Sequence, residues 1–234
     1  MKNSELDGVI ESLKMMASIE HFNKLKNFGI KQDTALGVKI PYIRIIAKEI
    51  GQNADLASLL LATGIHEAKI LASYIDNPQT LTLDKVEQYL NGFDSWDVCD
   101  QSVNLFFEAG FSDKLIVSLL SDNEVFRKRT AFVLMCINAV HNKIMTDNQF
   151  ISYFEAIEQQ AWDNRNFVCK AVNWALRQIG KRNMYLNEKA IECAERILLQ
   201  NHKSAKWIAS NALREFKDEK IILRIQIKEK RKKL

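Results

Sequence analysis

The sequence predicts an all-α fold, an α-α superhelix of HEAT-like repeats with a concave basic groove. Its 234 residues include only 8 glycines and 2 prolines, and so few helix breakers favour many helices over a turn-rich β protein. Apolar residues recur at helical spacing, and no alternating segment is long enough to predict a strand. About a dozen helices are too many for a four-helix bundle. We predict one domain over residues 1–234, with 219–234 as a basic C-terminal tail or a capping helix.

The first helices are predicted from apolar stripes and from residues that begin or end helices. One helix is expected from Glu5 to about Lys26. Pro41 begins the next, because proline is favoured in a first helical turn, and Gly51 ends it. Further helices are predicted at residues 54–62 and 66–75, then from a cap at Thr80 or Thr82 to Leu90.

The later helices are predicted mainly from capping residues. Ser95 is expected to cap a helix from Trp96 to Ala109, and Asn123 one over residues 124–140. Asn164 is expected to open the helix that carries Trp174. One more helix is predicted to start at Ser112 and Asp113, and another to run from Thr146 to about Gln160. The last two are predicted over residues 187–200 and 203–216.

Short stretches recur along the second half of the chain. Residues 126–129 and 167–170 both place a phenylalanine three positions before a cation, at a period of 41 residues. Residues 175–177 and 212–214 both read Ala-Leu-Arg, after a shift of 37 residues. A period near 40 residues is typical of HEAT repeats, whose inner helices line a concave groove.

Charge is unevenly distributed. Residues 1–163 hold 15 Lys/Arg and 22 Asp/Glu, a net charge of −7. Residues 164–218 hold 11 and 5, a net of +6, and residues 219–234 hold 7 and 2, a net of +5. A basic C-terminal third on an acidic remainder indicates a localised anion-binding surface. For the tail, two interpretations stay open: its lysines and arginines contact phosphates, or they are simply solvated.

Neither a metal nor an organic cofactor is expected. The cysteines are scattered and lack a CxxC pair, which favours reduced, packed thiols, and the lone histidines favour surface or packing roles. These residues are Cys99, Cys136, Cys169 and Cys193, and His21, His66, His141 and His202. No apolar run is long enough to cross a membrane, and the N-terminus lacks the apolar core of a signal peptide. We therefore expect a soluble, cytoplasmic protein.

Four polar and aromatic residues stand out on otherwise apolar helices. Trp96 and Asp100 lie four apart, on one helical face, while Arg129 and Trp174 belong to two other helices. A carboxylate, a guanidinium and two indoles suit a concave surface that meets a cationic base, a sugar and a phosphate. Taken singly, each has a structural alternative, such as a tryptophan in the core. The segment 163–166 either contacts DNA or forms a helix entry, and helix entry is favoured.

Five stretches, taken in order, carry a resemblance to a known family. They are Gly37–Pro41 continuing to Arg44–Ala47, His66–Ala72, Ser95–Asp100, Arg127–Ala131 and Lys170–Arg177. Over about residues 30–217 the chain resembles the AlkD-type DNA alkylation-repair family of HEAT-like α-solenoids. The resemblance implies a DNA glycosylase that hydrolyses the N-glycosidic bond of N3- and N7-alkylated purines, such as 3-methyladenine and 7-methylguanine, without flipping the base.

The resemblance also implies a role for each site residue. Asp100 would lie beside the anomeric carbon and position water, Trp96 and Trp174 would flank the deoxyribose, and Arg129 would contact a phosphate. The family has a lesion-contacting tyrosine near the N-terminus, where this chain offers only Phe22 or Phe28. Further DNA contacts are predicted from basic residues on helices expected to line the groove, namely Arg129, Lys170, Arg177, Lys181, Arg182, Lys206 and Arg214.

Two alternatives to the enzyme remain open. One is a non-enzymatic DNA-binding HEAT-repeat protein that recognises damaged or branched DNA. The other is a protein-interaction scaffold, a common role of α-solenoids. The expected partner is double-stranded DNA containing alkylated purines, with no membrane and no metal, and a monomer is expected because the groove must stay open.

Overall fold

The computed structural model describes residues 2–232, which form fourteen α-helices and one 3₁₀ turn. The helices are α1 (Lys2–Met15), α2 (Ile19–Leu25), α3 (Ile40–Ile50), α4 (Ala54–Ala62), α5 (His66–Ile75), α6 (Leu83–Asn91), α7 (Trp96–Glu108), α8 (Ser112–Leu119), α9 (Val125–His141), α10 (Asp147–Gln160), α11 (Asn166–Gly180), α12 (Met184–Leu198), α13 (Lys203–Phe216) and α14 (Glu219–Lys232), with the 3₁₀ turn at Lys26–Phe28. Within these residues the only β-type pairing is an isolated bridge between Ala17 and Val38. The prediction of an all-α fold is confirmed.

The single helix predicted from Glu5 to Lys26 is wrong, because the chain breaks around Ser18. The Ser18 backbone N–H donates to the Gly37 carbonyl at 3.0 Å, and its hydroxyl accepts from the His21 N–H at 3.3 Å, which caps α2. The apolar stripe continues across this break, so periodicity alone predicts one helix where the structure has α1 and α2.

Several predicted helix starts are displaced by a few residues. Helix α9 begins at Val125 after Glu124, so the predicted cap at Asn123 is wrong. Helix α11 begins at Asn166, two residues after Asn164. Helix α12 begins at Met184, because Asn183 accepts a hydrogen bond from the Leu186 N–H at 2.7 Å. By contrast, the Thr82 hydroxyl caps α6 as expected, at 3.3 Å from the Lys85 N–H.

The helices group into two compact units, one up to Phe111 and one from Ser112 onward. In the first unit α3, α5 and α7 pack in succession, and α4 packs against α5. Long-range hydrogen bonds tie residues about 30 positions apart, as between His66 and Asp97. These units are groups of packed helices, and one repeat domain over residues 1–234 stays a prediction.

In the second unit the spacing between bonded residues is close to 40 positions. Helices α9, α11 and α13 pack in succession, and α10 packs against α12. The rings of Phe126 and Phe167, which are 41 positions apart, have centroids 5.5 Å apart. Ser204 Oγ donates to the Trp162 carbonyl, 42 positions away, at 2.8 Å. The sequence repeat therefore corresponds to helices that stack on one another.

The basic tail is a helix within its described part. Helix α14 packs against α12 and α13, and its Ile225 is buried. The Glu229 carboxylate accepts a hydrogen bond from the Met184 N–H at 2.8 Å. Among the described helices, including α14, none has both the length and the apolarity needed to cross a bilayer.

Candidate nucleic-acid interface

The candidate site in the first unit begins with helix α7. Trp96 is the first residue of this helix, and its indole N–H donates to the Phe28 carbonyl at 3.0 Å. Asp100 follows one helical turn later. Both residues are half-buried, so Asp100 keeps access to solvent. Trp96 and Asp100 therefore lie on one helix, as predicted. Their expected convergence with Arg129 and Trp174 stays a prediction.

A pocket of about 320 Å³ opens beside Trp96. We call it the Trp96 pocket, and its wall is mainly apolar, with lining residues that include Leu25, Phe28, Ile30, Ile40, Ile70 and Trp96. Phe28 is exposed and lines the pocket, whereas Phe22 is half-buried and does not. Of the two phenylalanines considered for the family's N-terminal tyrosine, Phe28 is therefore the one beside Trp96.

A buried ion pair forms the polar wall of the Trp96 pocket. His66 Nε2 lies 3.0 Å from Asp97 Oδ2, and the two residues occupy the first turns of α5 and α7. Burial alone would lower the pKa of His66, but the hydrogen bond and the charge of Asp97 raise it. Burial alone would raise the pKa of Asp97, but the hydrogen bond to His66 lowers it. Both shifts favour the charged pair, which ties α5 to α7 directly behind Trp96.

A second buried carboxylate, Glu67, holds the segment 36–38 in place. It accepts backbone N–H groups from Leu36 at 2.8 Å, Gly37 at 2.7 Å and Val38 at 3.0 Å. Gly37 has φ +87°, and a Cβ there would lie 2.7 Å from the Cβ of Phe22, so only glycine fits. Sequence reasoning missed this contact, because no local spacing links residues 30 positions apart.

In the second unit, Trp174 lies half-buried on α11. Lys170, Arg177 and Lys181 share its side of the helix by spacing, at i−4, i+3 and i+7. Lys170 is exposed. Arg177 and Lys181 both pair with Glu215 of α13, the latter at 2.9 Å. Of the cations on this stripe, Lys170 is therefore the most accessible to an external anion.

Arg129 is buried, with 6% of its surface exposed. Its Nη1 donates to the Phe167 carbonyl at 2.6 Å, which joins α9 to the start of α11. This hydrogen bond fixes the direction of the guanidinium, and the phosphate contact of Arg129 stays a prediction.

Arg182 has a structural role that its sequence position does not indicate. It is 7% exposed, and its guanidinium donates to the carbonyls of Ala139 at 2.9 Å and Asn142 at 2.8 Å. It also lies 4.4 Å from the centroid of the Phe150 ring. Because these contacts use its donors within the protein, we leave Arg182 out of the predicted DNA-contacting set, in which Lys170, Lys206 and Arg214 are all exposed.

The segment 163–166 leads into α11, which begins at Asn166, as the favoured helix-entry interpretation predicts. Asp163 is buried and pairs with Lys128 at 3.0 Å and with Arg165 at 2.6 Å. Burial alone would raise the pKa of Asp163, but hydrogen bonds from Arg165 and Lys128 lower it to about 2. The flanking Asn164 and Asn166 are exposed.

A second pocket was not predicted from the sequence. It has a volume of about 440 Å³ and lies between the starts of α11 and α13, where Lys170, Lys203 and Trp207 contribute to its wall. Trp207 is 45% exposed. The sequence did contain a sign that Trp207 is exposed, because it lies on a polar helical stripe with Lys203, Ser210 and Arg214. The opposite side of the helix carries the buried Ala205, Ile208 and Ala212.

Two of the four thiols, those of Cys169 and Cys193, do not resemble nucleophiles. Burial is the main cause that raises the pKa of Cys169 to about 11 and that of Cys193 to about 12, so both are protonated near neutral pH. Residues 2–232 contain no group of three or more His, Cys, Asp or Glu side chains suited to a metal ion.

Comparisons with known proteins agree with this architecture. The sequence pattern of the family described as "DNA alkylation repair enzyme" matches residues 9–216. A solved structure described as "A new family of proteins related to the HEAT-like repeat DNA glycosylases with affinity for branched DNA structures" superposes with a TM-score of 0.76 and 17% sequence identity, over 89% of this chain and 94% of that one. A search of curated proteins finds no match. The structural likeness confirms the predicted HEAT-like fold.

Proposed function

Because the chain belongs to the DNA alkylation repair enzyme family, we propose that it is a DNA glycosylase acting on N3- and N7-alkylated purines in duplex DNA. One observation supports this most directly. Helix α7 presents an indole and a carboxylate one turn apart, and both Trp96 and Asp100 are half-buried rather than sealed in the core. Such a pair suits a sugar that becomes cationic during the reaction.

The proposed chemistry needs a carboxylate and water. Alkylation at N3 or N7 gives the purine a positive charge, so the base leaves as a neutral molecule and needs no acid to protonate it. As the C–N bond stretches, positive charge develops on the deoxyribose, and the Asp100 carboxylate would stabilise it. Water then adds to the anomeric carbon and gives up a proton, for which Asp100 is the proposed acceptor.

The other site residues have proposed roles carried over from the family, one at a time. Trp96 and Trp174 would place indole faces against the sugar, where cation–π attraction is worth about 1–2 kcal/mol when water is excluded. Arg129 would contact a phosphate. Phe28, exposed beside Trp96, is our choice for the family's tyrosine.

The direct test is a base-release assay. Purified protein is incubated with methylated duplex DNA, and free 7-methylguanine and 3-methyladenine are separated by chromatography. We expect release well above that of a protein-free sample at the same temperature, which measures spontaneous depurination. Release equal to that control after long incubation would reject the glycosylase proposal for these two bases.

A second candidate is a DNA-binding protein without base excision, with branched DNA as its ligand. It is favoured by the solved structure of similar fold, whose group is described as having affinity for branched DNA. Salt-dependent binding to a four-way junction in the absence of base release would support this candidate. A gel shift that detects no DNA affinity at moderate salt would reject both DNA-based proposals and favour a scaffold.

A further prediction concerns helix α14. Deleting it would uncover the apolar surface around Ile225, so charge removal is the cleaner test. If α14 binds phosphates, changing Lys220, Arg224 and Lys230 together to glutamine should reduce the slope of log affinity against log salt. The expected reduction is about 0.9 for each phosphate that the variant no longer neutralises. All three side chains are exposed.

The control for this test removes three other exposed lysines. Lys48, Lys114 and Lys143 are exposed outside α14, and their change to glutamine gives the same loss of net charge. An unchanged slope in the α14 variant would mean that Lys220, Arg224 and Lys230 contact no phosphate.

A further inference from the structure

The pocket between the starts of α11 and α13 shares no lining residue with the Trp96 pocket, and none of its lining residues is a proposed catalytic residue. We call it the Trp207 pocket, and its lining residues include Asn164, Asn166, Lys170, Lys203 and Trp207. Its volume of about 440 Å³ falls in the range of about 300–1,000 Å³ that is usual for small-ligand sites.

Uncompensated positive charge makes this pocket suitable for an anion. Lys170 and Lys203 are both exposed, and within the described residues neither forms an ion pair. Arg177, one to two turns further along α11, differs in this respect because Glu215 neutralises it. Two lysines on one rim without a carboxylate match the charge of a phosphodiester.

The aromatic residue of the pocket is not part of the core. Trp207 is 45% exposed, whereas the neighbouring Ile208 and Ala209 are fully buried. An indole held at the surface beside lysines is the arrangement on which unpaired nucleic acid bases stack. A base inside a duplex already stacks on both sides, so an unpaired base is the better partner for Trp207.

The rim is fixed before any ligand binds. Asp163, which precedes Asn164, pairs with Lys128 and Arg165. Arg165 Nη1 donates to the Asn123 carbonyl at 2.5 Å, and Ser204 Oγ donates to the Trp162 carbonyl at 2.8 Å. These contacts place the exposed amides of Asn164 and Asn166 at the edge of the pocket, where they are able to donate to and accept from a base edge.

We propose that the Trp207 pocket binds one unpaired nucleotide of DNA, with Trp207 stacked on the base and Lys170 and Lys203 contacting the adjacent phosphate. The inference rests on the proposed function, because it assumes that DNA is the ligand. It predicts that the protein binds duplex DNA with a gap or a single-stranded overhang more tightly than blunt duplex DNA.

The test compares two DNA ligands by fluorescence anisotropy at one fixed salt concentration: a blunt duplex and the same duplex with a five-nucleotide thymidine overhang. Trp207→Ala should weaken binding of the overhang DNA about tenfold and leave blunt-duplex binding within twofold. Trp207→Phe should retain most of the affinity, because phenylalanine also stacks. The matched control is Tyr185→Ala, which removes a ring on α12 that is 47% exposed and lies outside this pocket. It should change the affinity for neither DNA ligand.

Tryptophan emission gives a second readout. An oligothymidine should quench part of the emission of the wild type, and Trp207→Phe should remove the share of that quenching that comes from Trp207 while the oligonucleotide still binds. The double change of Lys170 and Lys203 to glutamine should weaken overhang binding and lower its salt slope. Equal loss on both DNA ligands in Trp207→Ala, or no loss on the overhang DNA, would overturn the inference.

Base release from blunt methylated duplex is measured separately, so that the two proposals fail independently. Absent release with Trp207-dependent overhang binding rejects only the glycosylase. Base release with Trp207-independent overhang binding rejects only the unpaired-nucleotide site. If an RNA strand of the same sequence is bound more tightly than the DNA overhang, the assignment to DNA is rejected.

Discussion

Changing Asp100 to asparagine should reduce base release from methylated duplex DNA by about 100- to 1,000-fold or more, to the level of spontaneous depurination. The amide keeps the shape of the carboxylate but carries no negative charge, so it cannot stabilise the cationic sugar or accept a proton from water. DNA affinity should stay within about threefold of wild type. The measurement is a single-turnover rate with enzyme in excess, together with a binding titration on the same duplex.

The matched control for this experiment lies on the same helix. Glu108 is an exposed carboxylate at the last position of α7, and Glu108→Gln removes the same charge without a proposed role. It should leave the rate unchanged. If Asp100→Asn keeps more than a tenth of the wild-type rate, Asp100 is not the catalytic carboxylate. If it loses DNA binding and rate in proportion, its role is in binding rather than in the chemical step.

The largest expected effect on stability comes from Asp163. Its replacement by alanine should lower the free energy of unfolding by about 3–5 kcal/mol, because Lys128 would remain buried without its partner. For a chain of this size that corresponds to a fall of roughly 10 °C in melting temperature. Differential scanning calorimetry or thermal unfolding by circular dichroism measures it directly.

Two controls separate the broken ion pair from other effects of the substitution. Asp163→Leu combined with Lys128→Met removes both charges, and should recover a large part of the stability. Glu192→Ala breaks an exposed pair with Lys189 on α12 and should change the melting temperature by no more than about 2 °C. A fall of less than about 3 °C for Asp163→Ala would show that the buried network contributes little.

The same network predicts a pH dependence. The pKa of Asp163 is lowered from 3.8 to about 2, since hydrogen bonds from Arg165 and Lys128 outweigh burial. A carboxyl with a lowered pKa contributes stability that is present above its ordinary pKa and lost as the pH falls through the lowered value. The difference in stability between wild type and Asp163→Ala should therefore be full at pH 6 and should narrow between pH 4 and pH 2.

Features determined by local chemistry were the ones that could be predicted well from the sequence. Pro41 and Gly51 bound α3 as expected, and Thr82 caps α6 through its own hydroxyl. The break between α1 and α2 was missed because the partner of Ser18 is Gly37, far away in sequence. Helix periodicity contains no information about such a partner.

The candidate site shows the same division. Trp96 and Asp100 follow from spacing and family resemblance, and α7 does place them one turn apart. The sequence alone does not show which cations are available to bind an anion, because nothing in the local sequence distinguishes the environment of Arg182 from that of Lys170. The first is buried on backbone carbonyls and the second is exposed. Burial depends on packing across repeats, which only the fold reveals.

The contacts of Arg182 bear on how the second unit tolerates shortening. Its guanidinium satisfies carbonyls at the end of α9 and just beyond, about 40 positions earlier in the chain. The end of α9 is thus completed by a side chain from a later part of the chain. A C-terminal truncation before that arginine would leave the carbonyls at the end of α9 without these donors, so we expect the helices of this unit to unfold together rather than one by one.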